Sequence, residues 1–469
     1  MNAVRWLPRR ALITATLLAL CAAAGLWLTW LIGELSGPIS QSGHHDFFAF
    51  YAAATLVHQH QAQLLYDAPA VTAIERQIFN HPTGYAGYMP FLNPPSAAAV
   101  LSPLASLSEA SARFVWLGVD LVCAALSAWL LTLGFSAKIR LLGVLAVFGT
   151  FPAFQTLVEG QWSYVMLLGA LAAIPLARRN HPFLAGAALV VLWLKPPLFL
   201  LVVVWLVCTG RWRLLSGAVA AVAVLTLVTL PLTGIDANLN YVSYTLSVTG
   251  AHLSGGGAAG STAWEGAFPN MEGLLGVAAA IVGQQHTVAV DVLTLVLSLL
   301  VVAVLVWTMH GRWTVRPADL QVVVAAMLAA LLLDPHLYAQ DCILLLLPVG
   351  VLLAPRVSDH HAVRLLLACC VLLDLATIDT LWSQGMFPAP LHLFTLCVAI
   401  AFLAACVRAR RIQPQRGTVA ATPAVSSTTT RPVPNVASPC ASGAALTRTR
   451  LAPLAMSTAS TWWPMRSVT

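Results

Sequence analysis

A few ionisable side chains interrupt an otherwise apolar chain, and two of them have the chemistry that a group-transfer reaction needs. Asp46 stands directly after two histidines in "SGHHDFFAFYAAATL", residues 42–56. A carboxylate at this point can take the proton of an attacking hydroxyl group. Lys195, in "LWLKPPL", offers positive charge where a leaving group gains negative charge. These residue types predict a base and a cation that serve one reaction.

Further candidates lie in short polar turns between apolar runs. Ionisable residues at a membrane boundary indicate function by default. The turns read "VEGQWSY", "DPHLYAQD" and "GYMPFLNPP", and one more candidate directly precedes Asp46. The substrate-binding candidates that we take from these stretches, besides Lys195, are Gln161, His336, His45, Tyr88 and Asn93.

Each main candidate also has a structural interpretation that needs no chemistry. Asp46 precedes an expected helix and would serve there as an N-cap. Lys195 would extend its amine to the membrane surface from a helix end. Gln161 would bridge helices through hydrogen bonds, and His336 would form a buried pair with an aspartate. No acidic pair has clear metal-ligand spacing, so no metal ligand is assigned, and a requirement for a divalent metal is left open.

The composition predicts an all-α polytopic membrane protein. Of the 469 residues, 59% are hydrophobic and only 9% are charged, whereas soluble domains carry about 25% charged residues. The formal net charge of +7 comes mostly from arginines, which argues for membrane orientation and against a nucleic-acid partner. The cysteines lie mostly in apolar runs and lack metal-binding spacing.

Basic clusters orient the predicted helices. If every cluster is cytoplasmic, the apolar runs between clusters must cross the membrane in pairs that go out and return. About twelve helices result, and both termini are then cytoplasmic. The predicted pairs are 11–32 with 110–134, 141–157 with 161–177, 214–232 with 287–309, 318–334 with 341–354, and 365–380 with 389–407.

The apolar run between Arg179 and Arg211 is predicted to supply the remaining pair by turning back on itself. A single crossing would leave these two arginines on opposite sides of the membrane. A break at Lys195-Pro196-Pro197 keeps them on one side, and the prolines supply the break. Each arm is short for a bilayer, which is tolerated where the membrane is thin. Lys195 is thereby expected at the extracytoplasmic end.

The sequence divides into three predicted regions. Residues 1–10 are a cytoplasmic N-terminus, 11–407 are the membrane domain, and 408–469 are a disordered cytoplasmic tail rich in Ser, Thr, Pro and Ala. Two long outer loops, 33–109 and 233–286, are expected to carry short interfacial helices and the active site.

The aromatic residues after Asp46 predict one of these interfacial helices, over residues 47–57. Its four aromatic side chains would lie on one side, with Ala and Thr on the other. Such a helix would hold Asp46 at the depth of a lipid headgroup.

Several of these stretches together resemble glycosyltransferase family 87. They are the pattern G-x-x-D-F-x-x-F at 43–50, "LLYD" at 64–67, "YMPFLNPP", and the run from "GQWSY" to "LKPPL". The resemblance extends over residues 30–405 and is densest at 43–110 and 158–215. It implies a polytopic transferase of the GT-C architecture.

The resemblance also implies a reaction in the bacterial cytoplasmic membrane. A hexose, mannose among relatives, passes from a polyprenyl-phosphate-linked donor to a lipid or glycan acceptor on the outer face. The lipid-linked sugar is then a substrate, and no separate cofactor is assigned. In the family an aspartate of the first outer loop acts as general base, and Asp46 occupies that place. By family position, Lys195 and His336 would neighbour the donor phosphate.

Two other functions compete with this interpretation. A polymerase or ligase of lipid-linked oligosaccharides usually has arginines in its outer loops, yet residues 214–311 contain no Lys or Arg. A transporter or lipid flippase would have charged residues near mid-membrane and paired broken helices. Asp374 and Asp379, inside an apolar run, are the residues that favour this second alternative.

Overall fold

A computed structural model describes residues 9–36, 46–79, 89–254, 271–283, 286–309, 320–354, 357–381 and 392–411. His45, Tyr88 and residues 412–469 of the predicted tail lie outside these ranges, so the predictions made for them stay predictions. The predicted boundary of the tail at 408 is too early, because residues 408–411 belong to the last helix. Within the described residues the only β-type contact is one isolated bridge between Met271 and Tyr338, and every longer element is a helix.

The chain forms seventeen α-helices in the described ranges. They are α1 Arg9–Ser36, α2 Phe47–His58, α3 Ala68–Phe79, α4 Pro95–Leu101, α5 Glu109–Leu131, α6 Ala137–Phe148, α7 Phe151–Glu159, α8 Ser163–Arg178, α9 Pro182–Ala188, α10 Pro196–Cys208, α11 Trp212–Ser254, α12 Leu274–Val282, α13 Thr287–Met309, α14 Leu320–Leu333, α15 Leu346–Leu353, α16 Asp359–Leu381 and α17 Leu393–Arg411. Four short 3-10 helices join them, at Ala62–Leu64, Ser102–Ser106, Leu189–Leu194 and Ala339–Leu345.

Several of these helices have the length and apolar composition of membrane spans. Six pass this test in the described ranges, namely Ile13–Glu34, Glu109–Leu131, Trp212–Leu246, Val288–Met309, Asp359–Thr377 and Leu393–Arg410. α6 and α7 together pass as a seventh span with a bend of 51°. The protein is therefore an all-helical polytopic membrane protein. Each of the twelve predicted segments contains helix in its described part, but the count of twelve crossings stays a prediction, because α8, α10 and α14 are among the apolar helices shorter than a full span.

The predicted helix 141–157 is wrong as a continuous element, because the chain breaks between α6 and α7. Pro152, in the first turn of α7, cannot donate a backbone hydrogen bond into a continuous helix. The freed N–H of Phe151 instead donates to Asp374 Oδ1 of α16 at 2.9 Å. Asp374 therefore supports the start of a helix, and this contact removes it as an argument for a transport pathway. The side chain of Asp379 lies outside the described residues.

The chain reverses at Lys195, as the arginine pattern predicts. The last turn before this residue ends at Leu194 and α10 begins at Pro196. A straight helix over 182–208 would be about 40 Å long. The first turn of α9 nevertheless touches the start of α11, where a side chain on Gly217, in the second turn, would collide with the Phe183 carbonyl group. Both ends of the run 182–208 therefore lie at the same end of the bundle.

The interfacial location predicted for residues 47–57 is wrong. α2 forms there, but both of its sides are buried, and its aromatic residues and Ala52–Ala54 are almost without exposure. The helix packs against α3, α4 and the 3-10 helix Ser102–Ser106, and the Tyr51 hydroxyl donates to Leu107 O at 2.7 Å. A helix that has no polar face gains more from protein contacts on all sides than from a lipid surface.

The predicted helix 214–232 is longer than expected. α11 contains 43 residues and continues to Ser254, with a break at Gly234, whose φ of 71° is left-handed. The predicted loop 233–286 thus begins as helix. The predicted first loop, 33–109, contains α2, α3 and α4 in its described part.

Candidate active site

Turns that are far apart in the sequence meet at one end of the bundle, which we call the site end. Asp46 precedes α2, the turn 160–162 joins α7 to α8, Lys195 joins α9 to α10, and the turn 334–338 follows α14. Hydrogen bonds and ion pairs connect these turns and the helical turns beside them, although up to 178 residues separate the partners. The structure therefore brings together Asp46, Gln161, Lys195 and the backbone of His336.

Asp46 is held by the turn between α7 and α8. Gln161 Nε2 donates a hydrogen bond to Asp46 Oδ2. The backbone N–H of Asp46 donates to Glu159 Oε2 at 3.2 Å. The side chain of Asp46 makes no capping hydrogen bond to α2, and its backbone is itself helical. The N-cap interpretation of Asp46 is therefore wrong, and its carboxylate is directed to a polar cluster.

Burial and a like charge make Asp46 a weak acid. Its pKa is raised from 3.8 to about 7, first by burial and then by the negative charge of Glu159, against the opposing hydrogen bond from Gln161. Asp341 adds a smaller upward effect and Lys195 a smaller downward one. At neutral pH the carboxylate is therefore partly ionised, which is the state that a general base needs.

The turn that holds Asp46 is shaped by Gly160. This residue ends α7 with a φ of 66°, a left-handed conformation that suits glycine. Phe47 lies against its Cα, so a side chain at residue 160 would meet the Phe47 ring and Cβ. Trp116 Nε1 of α5 donates to Gly160 O at 2.7 Å. These contacts fix Glu159 and Gln161 on either side of Asp46.

Lys195 is engaged by the turn after α14. Its Nζ donates to His336 O and to Asp341 Oδ2, each at 2.6 Å, and forms an ion pair with Asp334 Oδ2 at 2.9 Å. An ammonium group has three donors; two of them make these hydrogen bonds, and the charge also lies at ion-pair distance from Asp334. Burial alone would lower the pKa of Lys195, but Asp334 and Asp341 outweigh it and raise this pKa. The amine therefore stays charged.

The two aspartates are themselves fixed by neighbouring groups. Ser163 Oγ, in the first turn of α8, donates to Asp341 Oδ1 at 3.0 Å. The backbone N–H of His336 donates to Asp334 Oδ1 at 3.1 Å. His336 as a residue is half-buried. His336 does lie beside Lys195, and the atom that contacts the Lys195 amine is the backbone carbonyl oxygen of His336.

Asn93 has a supporting position beside Lys195. Its Nδ2 donates to Leu194 O at 2.6 Å, and its backbone carbonyl accepts from the Tyr66 hydroxyl at 2.8 Å. Asn93 thus holds the residue before Lys195 in place. Its predicted contact with substrate is not tested by these bonds. His45 and Tyr88 lie outside the described residues.

Three nearby residues were not singled out by the sequence. Ser163 binds Asp341, and Tyr338 lies close enough to Asp46 for the carboxylate to raise the pKa of the phenol, after the larger effect of burial. Arg113, in the first turns of α5, is 7% exposed, and its charge interacts with those of Glu109, Glu34 and Glu159. The signal for Arg113 was an arginine just inside an apolar run, away from every basic cluster.

The acidic groups of this end are directed to protein partners. Among the described residues, no three side chains of His, Cys, Asp or Glu converge in a way that could hold a metal ion. Asp334 and Asp341 are directed to Lys195, and Asp46 is directed to Gln161. The carboxylates described here outnumber the cations, so the site end is acidic.

A helical membrane protein with a half-buried carboxylate of raised pKa and a charged cluster at one end of its bundle has the features of a membrane-embedded transferase. The family model "Glycosyltransferase family 87" matches residues 91–339, more than half of the chain. The chain belongs to glycosyltransferase family 87 and is a glycosyltransferase. No curated protein and no solved structure matches it. The matched range contains Asn93, Gln161, Lys195 and His336, and it begins after Asp46.

Proposed function

We propose that this glycosyltransferase moves a hexose from a polyprenyl-phosphate-linked donor to a lipid or glycan acceptor, with Asp46 as the general base. The observation that carries the proposal is the contact of Asp46 with Gln161 and Glu159 at a carboxylate whose pKa is about 7. Mannose is the sugar favoured by the family resemblance. The arginine pattern favours the outer face of the bacterial cytoplasmic membrane as the location of this end.

In the proposed reaction the acceptor hydroxyl attacks the anomeric carbon of the donor sugar. Asp46 takes the hydroxyl proton as the new carbon–oxygen bond forms. The bond between the anomeric carbon and the phosphate oxygen breaks, and the polyprenyl phosphate leaves with the bonding electron pair. The products are a glycoside and a polyprenyl phosphate, and the proton on Asp46 then passes to water.

Lys195 and His336 have different parts in this proposal. Lys195 already makes two hydrogen bonds and an ion pair within the protein, so its role is to offset the charges of Asp334 and Asp341, which would otherwise repel a phosphate. The imidazole of His336 belongs to the same half-buried turn, and we assign to it the direct contact with the donor phosphate.

The competing functions have less support. Transfer of whole oligosaccharides by a polymerase or ligase is the closer alternative, since it also joins a lipid-linked sugar to an acceptor. The described residues between 214 and 309 supply no arginine for such an anionic glycan. A transporter would need an ionisable group in the membrane centre, and Asp374 instead supports the start of α7.

The first prediction concerns Asp46→Asn in membranes that contain the full chain. Asparagine keeps the size and the hydrogen-bonding shape of the residue but cannot accept the proton. Transfer from a radiolabelled polyprenyl-phosphate hexose is expected to fall by about 10²- to 10⁴-fold. Polyprenyl-phosphate mannose, glucose and nucleotide-linked mannose are compared as donors in the same assay, which also identifies the sugar.

The matched control is Asp67→Asn. Asp67 also stands before a helix in the same segment, where it accepts a hydrogen bond from Ala70 N at 2.9 Å, and asparagine can do the same. This control is expected to retain full transfer. Unchanged turnover in the Asp46 variant would remove Asp46 from the mechanism, and transfer from a nucleotide-linked sugar alone would overturn the donor class.

A further inference from the structure

The part of α11 that follows Gly234 has three distinct faces. Its buried side chains, Ala237 and Tyr241, contact the rest of the protein. Four large apolar side chains are between 55% and 67% exposed, namely Ile235, Leu239, Val242 and Leu246. Four polar residues, Asp236, Asn240, Ser243 and Thr245, are also exposed. The Thr245 hydroxyl donates to Tyr241 O at 2.8 Å within the helix.

The exposed side chains fall into stripes around the helix axis. At about 100° per residue, the four apolar side chains fall within about 60° of one another, and so do Asp236, Asn240 and Ser243, which form the polar stripe. Thr245 lies apart from them, between the apolar stripe and the buried face. The centres of the apolar and polar stripes lie about 100° apart, and the buried face lies about 100° further round. A helix that contacts protein, lipid and water along its whole length requires this division.

The residues around Gly234 explain why α11 breaks there. Pro231 removes one backbone donor from the helix, and Gly234 has a φ of 71°, which interrupts the helical hydrogen bonds. Asn238 Nδ2 donates to Gly234 O at 2.7 Å and to Thr233 Oγ1 at 3.1 Å, so one side chain of the following turn binds the residues on both sides of the break. The break is therefore a defined turn in the helix.

The length of α11 requires such a turn. Residues 212–233 alone would reach about 33 Å, which matches a hydrocarbon core of about 30 Å. If the whole helix were straight it would extend for about 64 Å. The apolar exposed surface is continuous across the break, because Val228 and Leu232 are exposed before it and Ile235 and Leu239 after it. The apolar stripe thus continues the exposed apolar surface of the preceding segment, which has the length and composition of a membrane span.

This part of α11 is also joined to the site end. Asn240 Nδ2 donates to Gln63 O at 3.2 Å, and the rings of Tyr241 and Tyr244 pack on Tyr66 at 5.4 and 5.1 Å. The Tyr66 hydroxyl in turn binds Asn93, which holds the residue before Lys195. The position of this helix in the membrane therefore fixes the depth of the site.

We propose that residues 235–246 form an interfacial helix whose partner is the lipid–water boundary, with the apolar stripe in the acyl chains and the polar stripe in the headgroup water. The helix lies in the plane of the membrane and holds the Tyr66–Asn93 contact, and with it Lys195, at headgroup depth. Residues 235–246 thus have the interfacial position that the sequence predicted for α2, which is buried in the protein.

Spin labelling tests this proposal without any sugar-transfer assay. Single cysteines are placed at each position from 235 to 246 of the full chain, after replacement of the native cysteines, and the protein is reconstituted in phosphatidylethanolamine–phosphatidylglycerol vesicles. Nitroxide labels at 235, 239, 242 and 246 are expected to collide more with oxygen, and labels at 236, 240 and 243 more with a water-soluble nickel chelate. Labels at 235 and 246 are expected at nearly equal depth.

Two outcomes would overturn the proposal. A helix that continues upright would place labels at 235 and 246 about 16 Å apart in depth. A helix that stands clear of the membrane would give high nickel accessibility at 235, 239, 242 and 246 as well as at 236, 240 and 243. Labels at 228 and 232 are the control, since they lie on the exposed apolar side of the preceding segment and are expected to collide with oxygen in every case.

A kinetic arm of the experiment rests on the proposed function. Leu239→Asp places a charge in the lipid-facing stripe and is expected to raise the KM for the lipid-linked donor several-fold, with kcat little changed. Ser243→Asp, a charge in the polar stripe, is the matched control and is expected to leave KM unchanged. Equal KM values in both variants, together with the upright pattern of labels, would refute the interfacial position. Loss of transfer from every lipid-linked donor in the unmodified protein would instead refute the proposed function.

Discussion

Glu159 controls how readily Asp46 ionises, and this gives a prediction about pH. Removing a like charge lowers the pKa of a carboxyl group, so Glu159→Gln is expected to move the acid limb of the activity–pH profile down by about one pH unit. Glutamine still offers an oxygen to the backbone N–H of Asp46, so the position of the base is kept. The measurement is kcat/KM from pH 5 to pH 9. An acid limb at an unchanged pH would contradict the assigned influence of Glu159, whose charge is among the causes of the raised pKa.

The same pKa has a consequence for stability. Because the carboxyl group of Asp46 binds its proton more tightly in the folded chain than at its ordinary pKa of 3.8, its contribution to stability is greatest at low pH and is lost as pH rises through about 7. The ionised form of Asp46, which is the form that can act as a base, therefore lowers the stability of the folded chain. Tyr338, Asp341, Lys195 and Gln161 are the other groups around it.

Lys195 leads to a prediction that separates stability from activity. Lys195→Met would leave Asp334 and Asp341 buried without their cation, at a cost of about 3–5 kcal/mol in the free energy of unfolding. The triple variant with Asp334→Asn and Asp341→Asn removes the uncompensated charges and is expected to recover most of the thermal stability, measured in detergent, without recovery of transfer. A triple variant as unstable as the single one would show that packing, and not charge, is what Lys195 supplies.

Among the helices, the crossing of α9 and α11 gives the most direct test of packing. Gly186 lies against the backbone of Leu214 and Gly217 against that of Phe183, so a side chain at either position collides with main-chain atoms that cannot rotate away. Gly186→Ala is expected to lower the free energy of unfolding by about 1–3 kcal/mol. Gly118→Ala in α5 is the control, because nothing lies within 4 Å of an added Cβ there. Thermal unfolding followed by tryptophan fluorescence compares the two, and equal melting temperatures would contradict the close contact.

Local sequence patterns predicted the positions of the helices along the chain better than they predicted whether a helix surface contacts protein or lipid. Apolar runs gave the location of most helices, and the basic residues on either side of 182–208 predicted the reversal at Lys195. The burial of α2 was not predictable, because apolar side chains look the same in a sequence whether they face lipid or protein. The break before Pro152 was hidden for a similar reason, since its partner, Asp374, is 223 residues away.

The sequence predicted which residues belong to the site, but it did not predict which of them contact one another. Asp46, Gln161 and Lys195 stood out because polar residues are rare in such a chain. The engagement of Lys195 by Asp334 and Asp341 depends on contacts across about 140 residues, which no local pattern contains. Arg113 escaped notice because a single arginine inside an apolar run resembles an ordinary helix end.

For the molecule as a whole, the orientation of the site end in the membrane is the property on which the proposed reaction depends. Gln61 lies in an exposed turn after α2, and Ser136 is exposed beside the basic residues that begin α6. In intact cells, Gln61→Cys is expected to react with an impermeant thiol reagent, and Ser136→Cys only after the membrane is permeabilised. The native cysteines are replaced in both variants. The reverse pattern would place the site in the cytoplasm and refute the proposed lipid-linked donor on the outer face.

The excess of carboxylates around Lys195 has a consequence for turnover. A sugar joined to a lipid through a phosphodiester carries a single negative charge, whereas the phosphate monoester left after transfer carries close to two near neutral pH. Acidic surroundings repel the second of these species more strongly than the first. The arrangement that tolerates the donor therefore drives the spent carrier out, and an enzyme built in this way is expected to resist inhibition by its own lipid product.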